Sequence, residues 1–597
     1  MIAIIFIITF SLIQATIAMA VNFTQCFADI QSGRYGTSGG TDAHGNPVTN
    51  ISTAVGITYE LCKIACDTGP EPFDWFNFSQ QFSAWLLPWL ALISLLPFGA
   101  GDIFENLTSV LLAVGSPTLA AYSLALTVLN RRWAAQRFSD ISYPNVDLAF
   151  HVMRGLQQAP LRIVKEDGLF HSLVVLHEND EWWRILVNRL DYAHSWSISA
   201  VTSILWVLLA YLFTVIGAFN KLPSIPTGVT VALSSDGQSV GTVWLWLLPI
   251  VIGWLQMSPK CESQRIKNAL RDANAVAHVA TDHGAQKINS EARAFTLNNG
   301  PPDALHVDER YTAPIFNYVR ILPWTQNVEE VVEVFRHAAN RAQAHRRVDH
   351  GLSTGQWVEG ADSEFQIHPE NRQGDLEQVI NYCTSPILFP DERSHWGPDV
   401  WSRLLNASLA ALMLQWGTAG AAIIIIWFTP TVGLGCRSGS YLVYAGASTL
   451  TWILLVISSI LTHSLAYPTV STSCASSTNK PCSDKDELPH PGQQWPCLRS
   501  FIRLLAITFR RLGKLLAAGN ATWIVLSCTL QFGGFYNRCY CNSSVTGLKS
   551  RAYDTIIAGA SELLGPWIGG VALGCGSAAV FVGFVNLFIH SKPTRSP

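Results

Sequence analysis

Charge is what this chain has least of. Only 14% of its 597 residues are Asp, Glu, Lys or Arg, against roughly 25% in an ordinary soluble domain. Long windows hold almost no charge and alternate with polar windows that hold nearly all of it. That pattern excludes a single diluted globular core and reads as a multi-pass membrane protein. Net charge is −3, so nothing points to a nucleic-acid partner. There is no P-loop, kinase or dinucleotide fingerprint. The nearest catalytic patterns fail on context. "GLSTG" (351–355) and "GTSGG" (36–40) match the nucleophile elbow, but neither follows an apolar strand or opens a helix. "HENDE" (177–181) lacks the second His of a zinc-binding helix. His337, His345 and His350 lie beside Arg346 and Arg347 without Cys or acid partners, as on a solvated basic surface. No catalytic, cofactor-binding or metal-ligating residue is assigned, and the reading leans away from an enzyme.

Ionisable groups within the apolar windows are also scarce. Glu562 and His463 fall at window ends, and Gln415 and Asn520 read as interhelical hydrogen-bonding residues. That scarcity counts against an ion-coupled carrier.

Apolar windows and tryptophans are abundant. The 21 Trp residues suit a membrane–water boundary. Residues 1–20, "MIAIIFIITFSLIQATIAMA", end in a small-x-small site and read as a signal peptide, although no basic residue precedes the apolar run. An uncleaved anchor is the alternative. Windows at 107–129, 196–219, 240–257, 404–428, 441–465, 516–532 and 556–589 are long enough to span. The expectation is therefore an all-α polytopic bundle of about seven (7–8) transmembrane helices.

Basic residues set the orientation. Segments 130–195, 258–403, 466–515 and the tail 590–597 hold 32 of the 39 Lys and Arg, which marks them as cytoplasmic. The exoplasmic parts are then a cap at 21–84 and loops at 220–239, 429–440 and 533–555. They contain Cys26, Cys62, Cys66, Cys436, Cys539 and Cys541, an even set on the side where disulfides persist, with pairing unreadable from sequence. Acceptor sequons at Asn22, Asn50, Asn77, Asn106 and Asn542 fall on the same side.

With the N-terminus exoplasmic and 130–195 cytoplasmic, an odd number of crossings must lie between residues 84 and 131. The run Trp85–Phe98 has 14 residues with Pro88 and Pro97, so 85–106 is expected to dip into the membrane and 107–129 to cross it. Helices are expected at 178–190, 262–281 and 327–347, the last with Asn327 as its cap. Arg499, Arg503, Arg510 and Lys514 share one face of an amphipathic stretch (497–516) expected to lie on anionic lipid, or else to begin a long helix. In the last window Gly565, Gly569, Gly570 and Gly574 form small-xxx-small pairs for close packing in the bundle or against a second copy.

"FSQQFSAWLLPWLALISLLPFGA", "SPTLAAYSLALTVLN", "HENDEWWRILVNRL", "VWLWLLPIVIGWLQMSPKC" and "TAPIFNYVRILPW" resemble a family of large multi-pass membrane proteins of filamentous fungi. The resemblance covers most of residues 22–325. It implies a fungal secretory-pathway membrane protein and carries no activity or site residue. The plasma membrane is the expected destination, with the N-terminus exoplasmic and the C-terminus cytoplasmic. Of three function classes (surface sensor or scaffold, channel or transporter, membrane-embedded enzyme), the first is favoured. A cytoplasmic protein is expected to dock on 258–400.

Overall fold

The computed structural model describes residues 21–99, 102–164, 168–191, 196–220, 228–288, 293–297, 305–349, 357–359, 367–384, 396–466, 496–557 and 559–589. The expected signal peptide and C-terminal tail lie outside them. The described elements begin with α1 (Phe23–Gln31), β1 (Gly40–Thr41), β2 (Gly56–Thr58), α2 (Tyr59–Cys66), α3 (Trp75–Ile93), α4 (Ile103–Gly115), α5 (Pro117–Phe138) and α6 (Val146–Gly155). They continue through β3 (Leu161–Ile163), α7 (Leu169–Val175), α8 (Asp180–Leu190), α9 (Ile198–Asn220), α10 (Gly228–Val243), α11 (Leu247–Met257) and α12 (Ser263–Asn274). Then come β4 (His278–Thr281), β5 (Gly284–Lys287), β6 (Phe295–Leu297), α13 (Asn317–Gln343), α14 (Leu376–Cys383), α15 (Val400–Trp427), α16 (Cys436–Ala466) and α17 (Pro496–Phe532). The last elements are α18 (Cys539–Asn542), α19 (Val545–Leu548), β7 (Tyr553–Thr555) and α20 (Ala560–Ile589).

The protein is mostly helical. Six stretches are long and apolar enough to cross a membrane: α9, Ser234–Met257 across α10 and α11, α15, α16, α17 and α20. The pair α4–α5, bent by 102°, makes up to seven. Helix α9 carries exposed Leu205, Leu209 and Phe213 along its length, a surface that water would disfavour and lipid would not.

Three cores stack along the molecule. The central one joins the long helices around Trp85, Leu124, Trp246, Leu414 and Tyr444. At one end a small core of Phe23, Ile30, Ile57 and the cap cysteines sits under the antiparallel sheet β1-β2-β7. At the other end 131–190 and 258–383 fold together around Trp182, Trp183, Phe295 and Phe335. There β3 pairs antiparallel with β6, Leu161 opposite Leu297, and Arg372 clamps Asp180 at 2.7 and 2.9 Å. Two segments separated in sequence by two long apolar helical stretches thus form one domain. Helices α5 and α13 each run from the central core into this domain.

The irregular apolar element falls elsewhere than expected. Residues 85–93 belong to a continuous helix, because α3 starts ten residues earlier at Trp75, where Asp74 caps the backbone amides of Phe76 and Asn77, and only 94–98 leave it through a turn. Its 19 residues reach about 28 Å, and Pro88 is accommodated within it. At its start Glu71 bonds Asn537 beside the cap; at its far end the Gly99 carbonyl accepts from Thr312 and the Gly99 Cα abuts Cys261. Residues 107–129, expected as one straight crossing, contain the reversal. Pro117 disfavours helical geometry at Ser116, which sits at φ −140°, ψ 80° and caps α5 through the Leu119 amide.

Other expectations shift too. The loop expected at 220–239 contains most of α10. Segment 258–403 carries the β4–β5 hairpin and β6 besides its helices. Helix α13 begins at Asn317 rather than at Asn327, whose side chain instead donates to the Leu161 carbonyl at 2.8 Å. The amphipathic stretch and the following apolar window are one 37-residue helix, α17.

Candidate functional site

The cap is assembled from three distant segments. Cys26 pairs with Cys66, Cys62 with Cys539 and Cys436 with Cys541, using all six cysteines expected to be oxidised. The last two bridges fasten the cap to the chain beyond α17 and to the first residue of α16. The sulfurs of Cys62, Cys66 and Cys539 lie within 4.8 Å of one another, and each is engaged in a disulfide. Asp554 on β7 is buried, with one carboxylate oxygen 4.0 Å from the Cys62 sulfur. Burial pushes its carboxyl up to about 7, against the opposing pull of Asn542 and Arg437. Burial also raises Glu71.

Beneath the cap lies a polar layer that sequence reading missed. Asp236 on α10 is buried and pairs with Arg437 on α16 at 3.5 Å. Gln531 on α17 donates to Asp236 at 2.7 Å and accepts from Tyr441 at 2.8 Å; Ser239 lies 3.3 Å from the same hydroxyl. Arg437 also donates to Asn537, which donates to Glu71 at 2.7 Å. A chain of hydrogen bonds, closed by the Arg437–Asp236 ion pair, therefore runs from the cap into the helices. The available signal was "SSDGQS", an acid between two apolar runs, obscured because the window was started at Val240.

Deep in the bundle, the α4–α5 reversal is held by polar contacts. Asn520 donates to the Gly115 carbonyl at 2.7 Å and to the Tyr444 carbonyl at 3.0 Å. Tyr444 donates to the Val114 carbonyl, and the Ser116 hydroxyl to the Ser448 carbonyl, both at 2.8 Å. These bonds satisfy carbonyls that the break frees, as non-helical backbone away from water requires. A Cβ on Gly115 would lie 1.9 Å from the Ala517 carbonyl oxygen. Only glycine fits there. Gln415, also expected to bond between helices, has no hydrogen-bond partner among the described residues.

The four basic residues of α17 do not act as one exposed face. Arg510 is buried, donates to Thr462 at 2.9 Å and to the Leu305 carbonyl, and lies 3.8 Å from Asp308. Lys514 donates to Asp308, which also accepts from Tyr318 at 2.6 Å. Arg499 donates to the Leu465 carbonyl at 3.0 Å, and Arg503 is exposed. The inward turn follows from the buried Asp308, a charge that needs a cation.

The four glycines of α20 divide between two faces. Gly570 packs against Ala421 and Ile425, and Gly574 against Thr242 and Ala421, whereas Gly565 and Gly569 face outward with nothing near them. The two pairs lie on different faces because residues one apart are about 100° apart around a helix. Among the sequons, Asn22 and Asn50 are exposed in the cap and Asn77 is half-buried in the first turn of α3. Asn542 is half-buried and bonds Asp554. Asn106 lies on α4 one residue from Glu105, which bonds the Thr312 backbone, so it belongs to the end of the bundle opposite the cap. Asn106 therefore does not share an end with the cap sequons, contrary to the expectation from sequence. No family model, curated protein or solved structure matches the chain.

Proposed function

We propose that the chain is a non-enzymatic surface sensor or scaffold of a secretory-pathway membrane, with the plasma membrane as its destination, coupling an exoplasmic cap to a cytoplasmic domain. The observation that carries this reading is the covalent assembly of the cap from three segments. Disulfides persist in oxidising compartments, and the opposite end holds most of the Lys and Arg. In this reading α3, α9, α10–α11, α15, α16, α17 and α20 cross, and α4–α5 dips in from the cytoplasmic side. A signal at the cap passes through the Glu71–Asn537–Arg437–Asp236 chain to the helices, and through α5 and α13 to the cytoplasmic domain, where a protein partner docks on 258–400. The outward Gly565–Gly569 face of α20 is where a second copy packs.

Glycosylation mapping in cells tests the orientation. Asn22 and Asn50 carry glycan, whereas sequons introduced into 140–190 or 260–288 stay bare. Glycan at the introduced sites overturns the reading. A carrier is the second reading, favoured by the buried Asp236 and the α4–α5 reversal. Solute flux into proteoliposomes that is abolished by Asp236→Asn would establish it over the sensor.

A further inference from the structure

A cavity of about 720 Å3 opens where α5, α11 and α20 leave the central core beside the start of α9. Its wall contains Arg131, Arg154, Lys260 and His151, with Asp191 as the one acid among the described lining residues. The two guanidiniums are half-buried, and each of the fully buried arginines has a strong acceptor: Arg372 has Asp180, Arg510 has Asp308, Arg320 has the Ala313 carbonyl at 2.7 Å and Arg403 has Asn130 at 2.6 Å. Arg131 and Arg154 have no carboxylate within ion-pair distance among the described residues. The polar contact of Arg131 there is the Met257 sulfur at 3.9 Å, and its Nε is buried without a hydrogen-bond partner. Gln157 Nε2, in the same wall, is a second buried donor without a partner.

Three cations facing a single carboxylate, Asp191, in a concave, part-desolvated site are costly, and a bound anion offsets that cost. Burial lowers Arg154 and Lys260 from their ordinary values, and His151 is lowered by burial and by Arg154. The imidazole therefore stays neutral and leaves one ring nitrogen able to donate. Planar guanidinium forks match the oxygens of a phosphate. The cavity is also lined by Trp196, 47% exposed, and by Asn586 and Ile589 at the end of α20, a helix whose Leu587 is 74% exposed. A tryptophan beside an apolar helix face marks the boundary of a bilayer.

We propose that this cavity binds a phosphate-bearing anion, supplied by the head group of an anionic membrane phospholipid whose acyl chains lie along α9 and α20. The lipid source rests on the reading that those helices cross a membrane; the phosphate chemistry does not. Arg131, Arg154 and Lys260 hold the phosphate oxygens, Gln157 donates a further hydrogen bond, and Asp191 limits the affinity by facing the same space.

The test uses the full-length protein purified in a neutral detergent, with short-chain phosphatidic acid, short-chain phosphatidylcholine and inorganic phosphate as separate probes. Native mass spectrometry counts adducts and thermal unfolding reads affinity. Phosphatidic acid is expected to bind one to one and raise the melting temperature, with little effect from the other two. Arg131→Gln or Arg154→Gln should each weaken binding about tenfold or more. Asp191→Asn should tighten it, which keeps the test decisive if an arginine variant folds poorly. Arg346→Gln, remote from the cavity, should bind as the unaltered chain. Equal binding of inorganic phosphate would keep the anion site and overturn its lipid source. Binding of no probe, or binding indifferent to all three cavity variants, overturns the proposal. Because the probes act in detergent, a failed orientation in the glycan mapping leaves this outcome separately readable.

Discussion

The cap and the domain at the opposite end of the bundle are held together by different means. The cap core is small, gathered around Phe23, Ile30 and Ile57, and three disulfides hold its segments in place. The opposite domain has a broad aromatic core, with Trp182, Trp183 and Phe295 in mutual contact, and its Cys383 is a buried free thiol. A segment too short to bury much apolar surface needs covalent help, and a larger one does not. Burial also holds the Cys383 thiol well above its ordinary pKa, which keeps it unreactive.

The largest perturbation should come from the domain that lacks covalent links. Trp183→Ala removes a fully buried ring and the hydrogen bond from its indole to the Leu173 carbonyl at 2.8 Å. A loss of about 3–5 kcal/mol is expected. Limited proteolysis should then cut within 131–190 and leave 21–70 intact. Cys62→Ser with Cys539→Ser should cost about 2–5 kcal/mol and reverse that pattern, with cleavage confined to the cap. If either variant opens both ends equally, the two regions are one cooperative unit and the comparison fails.

A third effect is specific to the cap. The carboxyl of Asp554 is raised from 3.8 to about 7 in the folded chain, so between those values the folded state binds more protons than the unfolded one. Cap stability is greatest below about pH 4 as far as this group goes, and falls as pH rises to 7. The loss is on the order of a few kcal/mol. Protease resistance of the cap should be higher at pH 5 than at pH 8, and Asp554→Asn should flatten the difference. An unchanged pH dependence in that variant would assign the effect to another group. The smallest effect lies between the two regions. Asn520→Leu, which frees the Gly115 and Tyr444 carbonyls, should cost on the order of 1 kcal/mol and lower the melting temperature without altering either cleavage pattern.

Much of the architecture was legible because it rests on composition. The apolar windows, the concentration of Lys and Arg in a few segments and the set of six cysteines all appear in the chain as written. The α4–α5 reversal was also written there, as Gly115-Ser116-Pro117, but apolar residues continue on both sides and mask the break. Pro88 misled in the opposite direction. It lies well inside a capped helix, whereas Pro117 comes two residues after Gly115, which must touch the α17 backbone. The same residue type had opposite consequences because its neighbours decide whether the break that proline favours is realised.

The candidate polar sites were less legible. Asp236 meets Arg437 about 200 residues away in sequence, and no local pattern records such a meeting. Arg510 and Lys514 look like half of an exposed basic stripe until Asp308 is placed beside them. By itself, then, the sequence determined the solvent each segment prefers, since that follows from composition summed over a window. It also determined which cysteines occupy a common end. Disulfide pairing, the choice of which proline breaks a helix, and the facing of each charge were decided only by tertiary structure. Those outcomes depend on contacts between residues far apart in the chain, where one buried carboxylate or one carbonyl at close range outweighs any local preference.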